Sequence, residues 1–143
     1  HKVAGEIQAG IKIPMLHIAD ITAQHVLSKG INRIGLLGTK YTMEQDFYIS
    51  RLTKQGIRVF VPEASDRDII NTVIFQELCL GQIIAESRCR FKQIIEGLIQ
   101  QGAEGIILGC TEIGLLVKPE DSTVPLFDTT VIHATGAVDY ALR

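Results

Sequence analysis

At 143 residues, with 46% hydrophobic and 21% charged side chains, the chain has the composition of a soluble globular protein of one domain, or one domain plus a fragment of another. A formal net charge of −2 without any Lys/Arg-rich block excludes the electrostatic footprint of a nucleic-acid binder. The longest apolar runs, Gly105–Gly109 and Ile113–Val117, are too short to span a bilayer, and the polar residues 1–10 contain no signal-peptide core.

The chain opens on His1-Lys2-Val3-Ala4, which reads as the middle of a helix, so sequence is expected upstream. Ile13–Ile18, with Pro14, reads as a strand at a junction, and Ile21–Ser28 as a connecting helix that ends at Gly30. Ile34–Leu37 is a buried strand running into Gly38-Thr39. Thr42 followed by Gln45 carries a capping-box signature, and the helix it opens should end near Gly56. Ile57–Val61 is the next strand, closed by Pro62. Ser65 and Asp68 cap a helix whose Ile69, Ile70, Val73, Ile74 and Leu78 share one face. A further helix sets Phe91, Ile94, Ile95, Leu98 and Ile99 at helical spacing and stops at Gly102. Gly105–Gly109 is apolar on both faces, as a central parallel strand should be, and runs into Cys110-Thr111-Glu112. Val124–Phe127 is a last short strand and Val131–Leu142 a final helix. Alternation of short apolar strands with amphipathic helices predicts an α/β fold, a parallel sheet flanked by helices.

Ligands of open parallel sheets sit outside the C-terminal ends of the strands. Three loops of small and polar residues lie there: Gly38-Thr39, Gly109–Glu112 and Asp128-Thr129-Thr130. Cys110 is the leading candidate for chemistry. Backbone amides and the dipole of a following helical turn would favour its thiolate and lower its pKa. The alternative is an inert buried thiol, common among free cysteines. Cys79 and Cys89 lie in helical segments with nothing to activate them, and are read as structural. Three cysteines, odd in number and without a CxxC pair, fit reduced thiols and a cytoplasmic location better than a disulfide scaffold. His133 follows the 128–130 loop as an acid/base group, an orienting group or simply a hydrogen-bonded first-turn residue. His17 and His25 are read as structural or surface residues, and no His/Cys spacing indicates a metal site. Neither a dinucleotide nor a P-loop glycine pattern is present.

The segment GAEGIILGCTEIGLL at 102–116 resembles the C-terminal signature of the aspartate/glutamate racemase family. So do GLLGTKYTMEQDFY (35–48), VPEASD (61–66) and VPLFDTTVIHATGAV (124–138), in the same order along nearly the whole chain. The resemblance implies one half of a pseudo-symmetric two-domain fold, each half giving one cysteine to a shared cleft. It implies residues 1–20 as a remnant of the N-terminal domain, 21–130 as the C-terminal α/β domain, and 131–143 as a helix returning towards the first domain. The implied activity is cofactor-independent interconversion of L- and D-amino acids by a homo-oligomer, a dimer. One thiolate takes the Cα proton and an opposite thiol returns one. Cys110 matches the second thiol, and neither Cys79 nor Cys89 matches the first.

Other site residues follow from the same resemblance. Hydroxyls of Thr39 and Thr111 are suited to the substrate carboxylate, and Glu112 to the substrate ammonium or to orienting Cys110, the alternative being a Glu at a helix N-terminus that merely favours the dipole. Leu80 stands where aspartate-specific members carry a cation. Loss of that charge-assisted contact, worth roughly 1.5–3 kcal/mol, opens the site to neutral amino acids. Two rival activities share this reading: a maleate isomerase-like isomerase or decarboxylase of the same superfamily, and a non-catalytic binding or dimerisation domain.

Overall fold

The strands bury both faces, and alternate residues go to different sides. The structure, a computed structural model, describes residues 1–142. Four parallel strands, β1 (Arg33–Leu37), β2 (Arg58–Phe60), β3 (Gly105–Leu108) and β4 (Leu126–Asp128), pair in the order β2-β1-β3-β4. Register sets Leu37 beside Leu108, and Leu108 beside Asp128, so the strands end together along one edge.

Ile34 and Leu36 of β1, Ile107 of β3 and Phe127 of β4 pack into one core layer, with α2 (Ile18–Ser28) and α4 (Asp46–Lys54) over it. Leu37, Ile106 and Leu108 pack into the other, under α5 (Ala64–Gln76) and α6 (Ala85–Gln100). This period-two division makes a three-layer α/β/α unit from residues that read in sequence as continuous apolar runs. Ile70, Val73 and Ile74 of α5, and Phe91, Ile94, Ile95 and Leu98 of α6, are the buried stripe that helical spacing indicates. Gly102, at φ +107, makes the turn that ends α6 and returns the chain to β3. No helix among the described residues is long and apolar enough to cross a membrane.

Several expectations need correction. Ile13–Ile18 adds no strand: it is coil until α2 begins at Ile18, where the His17 imidazole Nδ1 accepts from Ala19 N–H at 3.1 Å. A histidine imidazole thus performs the capping usually assigned to Ser, Thr, Asp or Asn. The helix expected from Thr42 to about Gly56 is two helices, α3 (Lys40–Glu44) and α4, separated by extended Gln45 at ψ 144. Its cap is Thr39, whose Oγ1 accepts from Thr42 N–H. α5 is capped at Glu63 without a side-chain bond, while Asp68 pairs with Lys40 Nζ at 2.6 Å. The last strand starts at Leu126, because Pro125 has no N–H to give the ladder, although its carbonyl accepts from Ile106 N–H. The remaining helices are α1 (Ala4–Gly10), α7 (Ile113–Leu116) and α8 (Thr129–Ala141). α2 and α8 pack on each other, with Gly136 admitting Ile21.

Candidate active site

The C-terminal edge of the sheet is assembled by close backbone approach. Gly109 N–H donates to Leu37 O at 2.6 Å, so β1 and β3 stay joined one residue beyond β3. A Cβ on Gly109 would lie 2.9 Å from that same oxygen, which is why the residue before Cys110 has no side chain. The Gly38-Thr39 turn lies against it, a Gly38 Cβ position being 3.6 Å from Gly109 O. From the other side Thr129, buried at the start of α8, donates its hydroxyl to Leu108 O at 2.9 Å. Cys110 is thereby fixed at the end of a central strand with both neighbouring strand ends tied to its own.

The half-buried Cys110 thiol donates to Glu112 Oε2 at 2.9 Å, and Thr111 Oγ1 donates to the same oxygen at 2.7 Å. Burial, followed by the Glu112 carboxylate that accepts the S–H bond, pushes the Cys110 thiol up to about 12. The hydrogen bonds from Cys110 and Thr111 hold the Glu112 carboxyl below its usual range, so it is an anion. The sequence expectation of a depressed thiol pKa is therefore overturned for the molecule at rest. α7 is one turn of four residues, and its weak dipole is outweighed by desolvation and an adjacent negative charge. In this state the sulfur is an acid.

Of the other residues singled out in sequence, Thr39 lies on the same edge, its hydroxyl shared between Thr42 N–H and Thr42 Oγ1. Leu80 is exposed in the 3-10 turn Leu78–Leu80, which packs against α7, and no cation takes its place in that turn. Cys79 of the same turn and Cys89 on α6 are both exposed rather than buried. His133 stands apart. Its Nε2 meets Leu16 O at 2.9 Å, and it lines a cavity of about 330 Å³ with Met15, Leu16 and His17, so it ties α8 to the segment before α2. It makes no hydrogen bond to Cys110, Thr111 or Glu112. A cavity of about 1040 Å³ lies between α2, β4 and α8, and Cys110 does not line it.

Two positioning residues were not separated from their neighbours in the sequence. Thr129 belongs to a loop recognised only as small and polar, yet its hydroxyl reaches across to β3. Asn71, on α5, accepts from Lys40 N–H at 2.9 Å and so anchors the start of α3 beside Thr39. Helical periodicity marks Asn71 only as a polar face residue.

A family model, Asp/Glu/Hydantoin racemase, matches residues 1–137. The chain belongs to this racemase family. Among solved structures, a candidate Asp/Glu racemase from Yersinia pestis is 55% identical with a TM-score of 0.96, over 99% of this chain and 62% of that one. An aspartate racemase homologue from Pyrococcus horikoshii OT3 is 35% identical with a TM-score of 0.92, over 100% of this chain and 63% of that one. The chain thus spans under two thirds of the length of these two relatives. An uncharacterized protein encoded in the pnlA 3′ region of Pectobacterium carotovorum subsp. carotovorum is 28% identical over 84% of this chain and 79% of its own length. The four-stranded parallel sheet flanked by helices matches the racemase-family domain of the two solved structures.

Proposed function

We propose that this chain carries one half of the active site of a cofactor-independent amino-acid racemase, with Cys110 as one of two opposed acid/base thiols. The observation that carries this reading is the Cys110–Glu112 hydrogen bond at 2.9 Å on the C-terminal edge of a central strand of a racemase-family sheet. Inversion at Cα without an electron sink needs a base on one face and an acid on the other. Cys110, held as a thiol, supplies the acid in one direction and, once it has given up its proton, the base in the other. Backbone amides of Cys110 and Thr111, with the Thr39 hydroxyl and, once it turns from Glu112 Oε2, the Thr111 hydroxyl, are the donors for the substrate carboxylate, where negative charge grows as the Cα proton leaves. Leu80 presents no charge to a substrate side chain, which favours neutral over acidic amino acids.

The opposing thiol lies outside these 143 residues. The half that carries it covers the exposed apolar residues Val3, Ile7, Ile11 and Ile13 before α2, and Val131 and Val138 on α8. The full-length protein acts as a homodimer in the cytoplasm. The test is exchange of the Cα proton for deuterium in D2O together with loss of optical activity from single enantiomers. Full-length protein should do both, Cys110→Ala should abolish both, and the 143-residue chain alone should do neither. Turnover without inversion would instead favour an isomerase or decarboxylase of the maleate isomerase type. Racemization that survives Cys110→Ala would refute the assignment.

A further inference from the structure

α7 is too short to place itself. Leu115 N–H donates to Glu112 O at 3.0 Å and Val117 N–H to Ile113 O at 2.9 Å, but a single helical turn fixes many torsions for few such bonds. The Cys110–Glu112 loop runs directly into this turn, and Ile113 N–H donates to Cys110 O at 3.2 Å. Where α7 sits therefore decides where the thiol stands. Ile113 and Leu116 are buried and hold its inner face in the core against which Cys110 also packs. Its flank is held at Gly114. That residue has no positive φ, so the backbone does not require glycine there, and glycine is the least favourable helix residue apart from proline. What requires it is Asp128. A Cβ on Gly114 would lie 2.9 Å from Asp128 Oδ2 and 3.8 Å from its Cγ. The carboxylate is not free to swing aside, because its Oδ1 accepts from Thr130 and Val131 N–H at the start of α8. From the same short turn, Gly114 O accepts from Lys118 Nζ at 2.8 Å.

We infer that Asp128 is a positioning residue for the reaction: one of its oxygens caps α8, and the other seats α7 at Gly114, which fixes where the Cys110 sulfur stands relative to the reacting carbon. This rests on the racemase reading above, in which Cys110 exchanges a proton with Cα. Asp128 ends β4 in register with Leu108 of β3, two residues before Cys110, so the seat belongs to the same sheet that carries the thiol. A side chain at Gly114 would force the carboxylate and α7 apart by about 0.5 Å before an ordinary contact is reached. Proton transfer is sensitive to such shifts, a misplacement of about 1 Å costing roughly a hundredfold in rate. Binding of the substrate is shared among several donors and tolerates the same shift better. A disturbed seat therefore shows in kcat before it shows in KM.

The experiment is a double-mutant cycle in the full-length protein, with Gly114→Ala, Asp128→Ser and the pair assayed for racemization of L-alanine and L-aspartate. Serine keeps an oxygen for the α8 cap and lacks the second one, so it clears the space that an alanine Cβ needs. Gly114→Ala alone should lower kcat at least about tenfold and leave KM within about twofold. In the Asp128→Ser background the same change should cost less than about threefold. Denaturant unfolding should show Gly114→Ala no less stable than wild type, since alanine favours the helix, so lost turnover would not be lost fold. An equal loss in both backgrounds, or a kcat that Gly114→Ala leaves alone, would overturn the seat. Asp128→Asn reads the seat without touching Gly114, because it keeps the cap and fills the space. Its kcat should exceed that of Asp128→Ser by about fivefold or more, and equal values would also overturn the inference. If wild type racemizes neither amino acid, the racemase reading is what fails. The seat is then decided by the Cys110 13Cβ NMR signal in protein carrying [13Cβ]cysteine, assigned with Cys110→Ala. That signal should move in Gly114→Ala and return in the pair; a signal that stays in place, or that the pair does not restore, sinks it.

Discussion

Two neighbouring strands end in loops of the same kind, and they use their carboxylates in opposite ways. After β4, Asp128 accepts from the amides of Thr130 and Val131 at 2.9 and 3.3 Å, and a helix of 13 residues follows. After β3, Glu112 accepts no backbone amide from the next turn; it takes the Cys110 thiol and the Thr111 hydroxyl, and the helix that follows is four residues long. One anion stabilises a helix and the other governs the ionisation of a sulfur. The difference shows that a carboxylate at a strand–helix junction cannot be assigned to capping or to chemistry from its position alone. What matters is which donors the local backbone presents to it.

The largest effect expected from this contrast is on thiol reactivity. Alkylation by iodoacetamide at pH 7.5, read by mass spectrometry of the native protein, should be fast at exposed Cys79 and Cys89 and slow at Cys110. A rise from the ordinary 9.0 to about 12 lowers the thiolate fraction of Cys110 roughly a thousandfold. Preferential labelling of Cys110 would show that the Glu112 contact does not persist in solution. Next comes Gly109→Ala, which would force a Cβ to 2.9 Å from Leu37 O, a backbone atom held in the sheet. It should cost about 1–3 kcal/mol in denaturant unfolding. Removal of the two carboxylates should separate them directly. Asp128→Ala should cost about 1 kcal/mol as a lost helix cap. Glu112→Ala should stay within about 0.5 kcal/mol, the range of surface changes that remove no helix cap. Equal costs would abolish the distinction between the two loops.

The smallest effect is a pH dependence at the other end of the fold. Burial, followed by the Arg51 charge, lowers the pKa of His17, whose Nδ1 must stay unprotonated to cap α2. With the folded value below the unfolded 6.5, the unfolded chain binds more protons in this window, so stability rises with pH. The contribution is therefore complete above pH 6.5 and is lost as pH falls towards the folded value. His17→Asn, which keeps a capping acceptor without the titration, should flatten this part of the curve. If wild type and variant fall in parallel between pH 7 and 5, His17 is not the source.

Much of this molecule is dictated by local pattern. Continuous apolar runs such as Gly105–Gly109 require burial on both faces, which selects a parallel sheet between helices. The spacing of Phe91, Ile94, Ile95 and Leu98 fixes a buried helical stripe before any partner is known. The motif around Cys110 marks the strand-end loop, and the order of four motifs marks the family. Tertiary structure decided the rest, because it depends on atoms distant in sequence or on competition between nearby ones. Thr129 reaches the β3 carbonyl 21 positions away, and His133 bonds a carbonyl 117 positions away rather than joining the thiol. Thr39 takes the cap that Thr42 and Gln45 suggest, because extended Gln45 breaks the helix after Glu44. The ionisation of Cys110 is the sharpest case. A dipole argument from sequence gives a thiolate, whereas the fold gives burial and an adjacent Glu112 anion, and both of these oppose the charge.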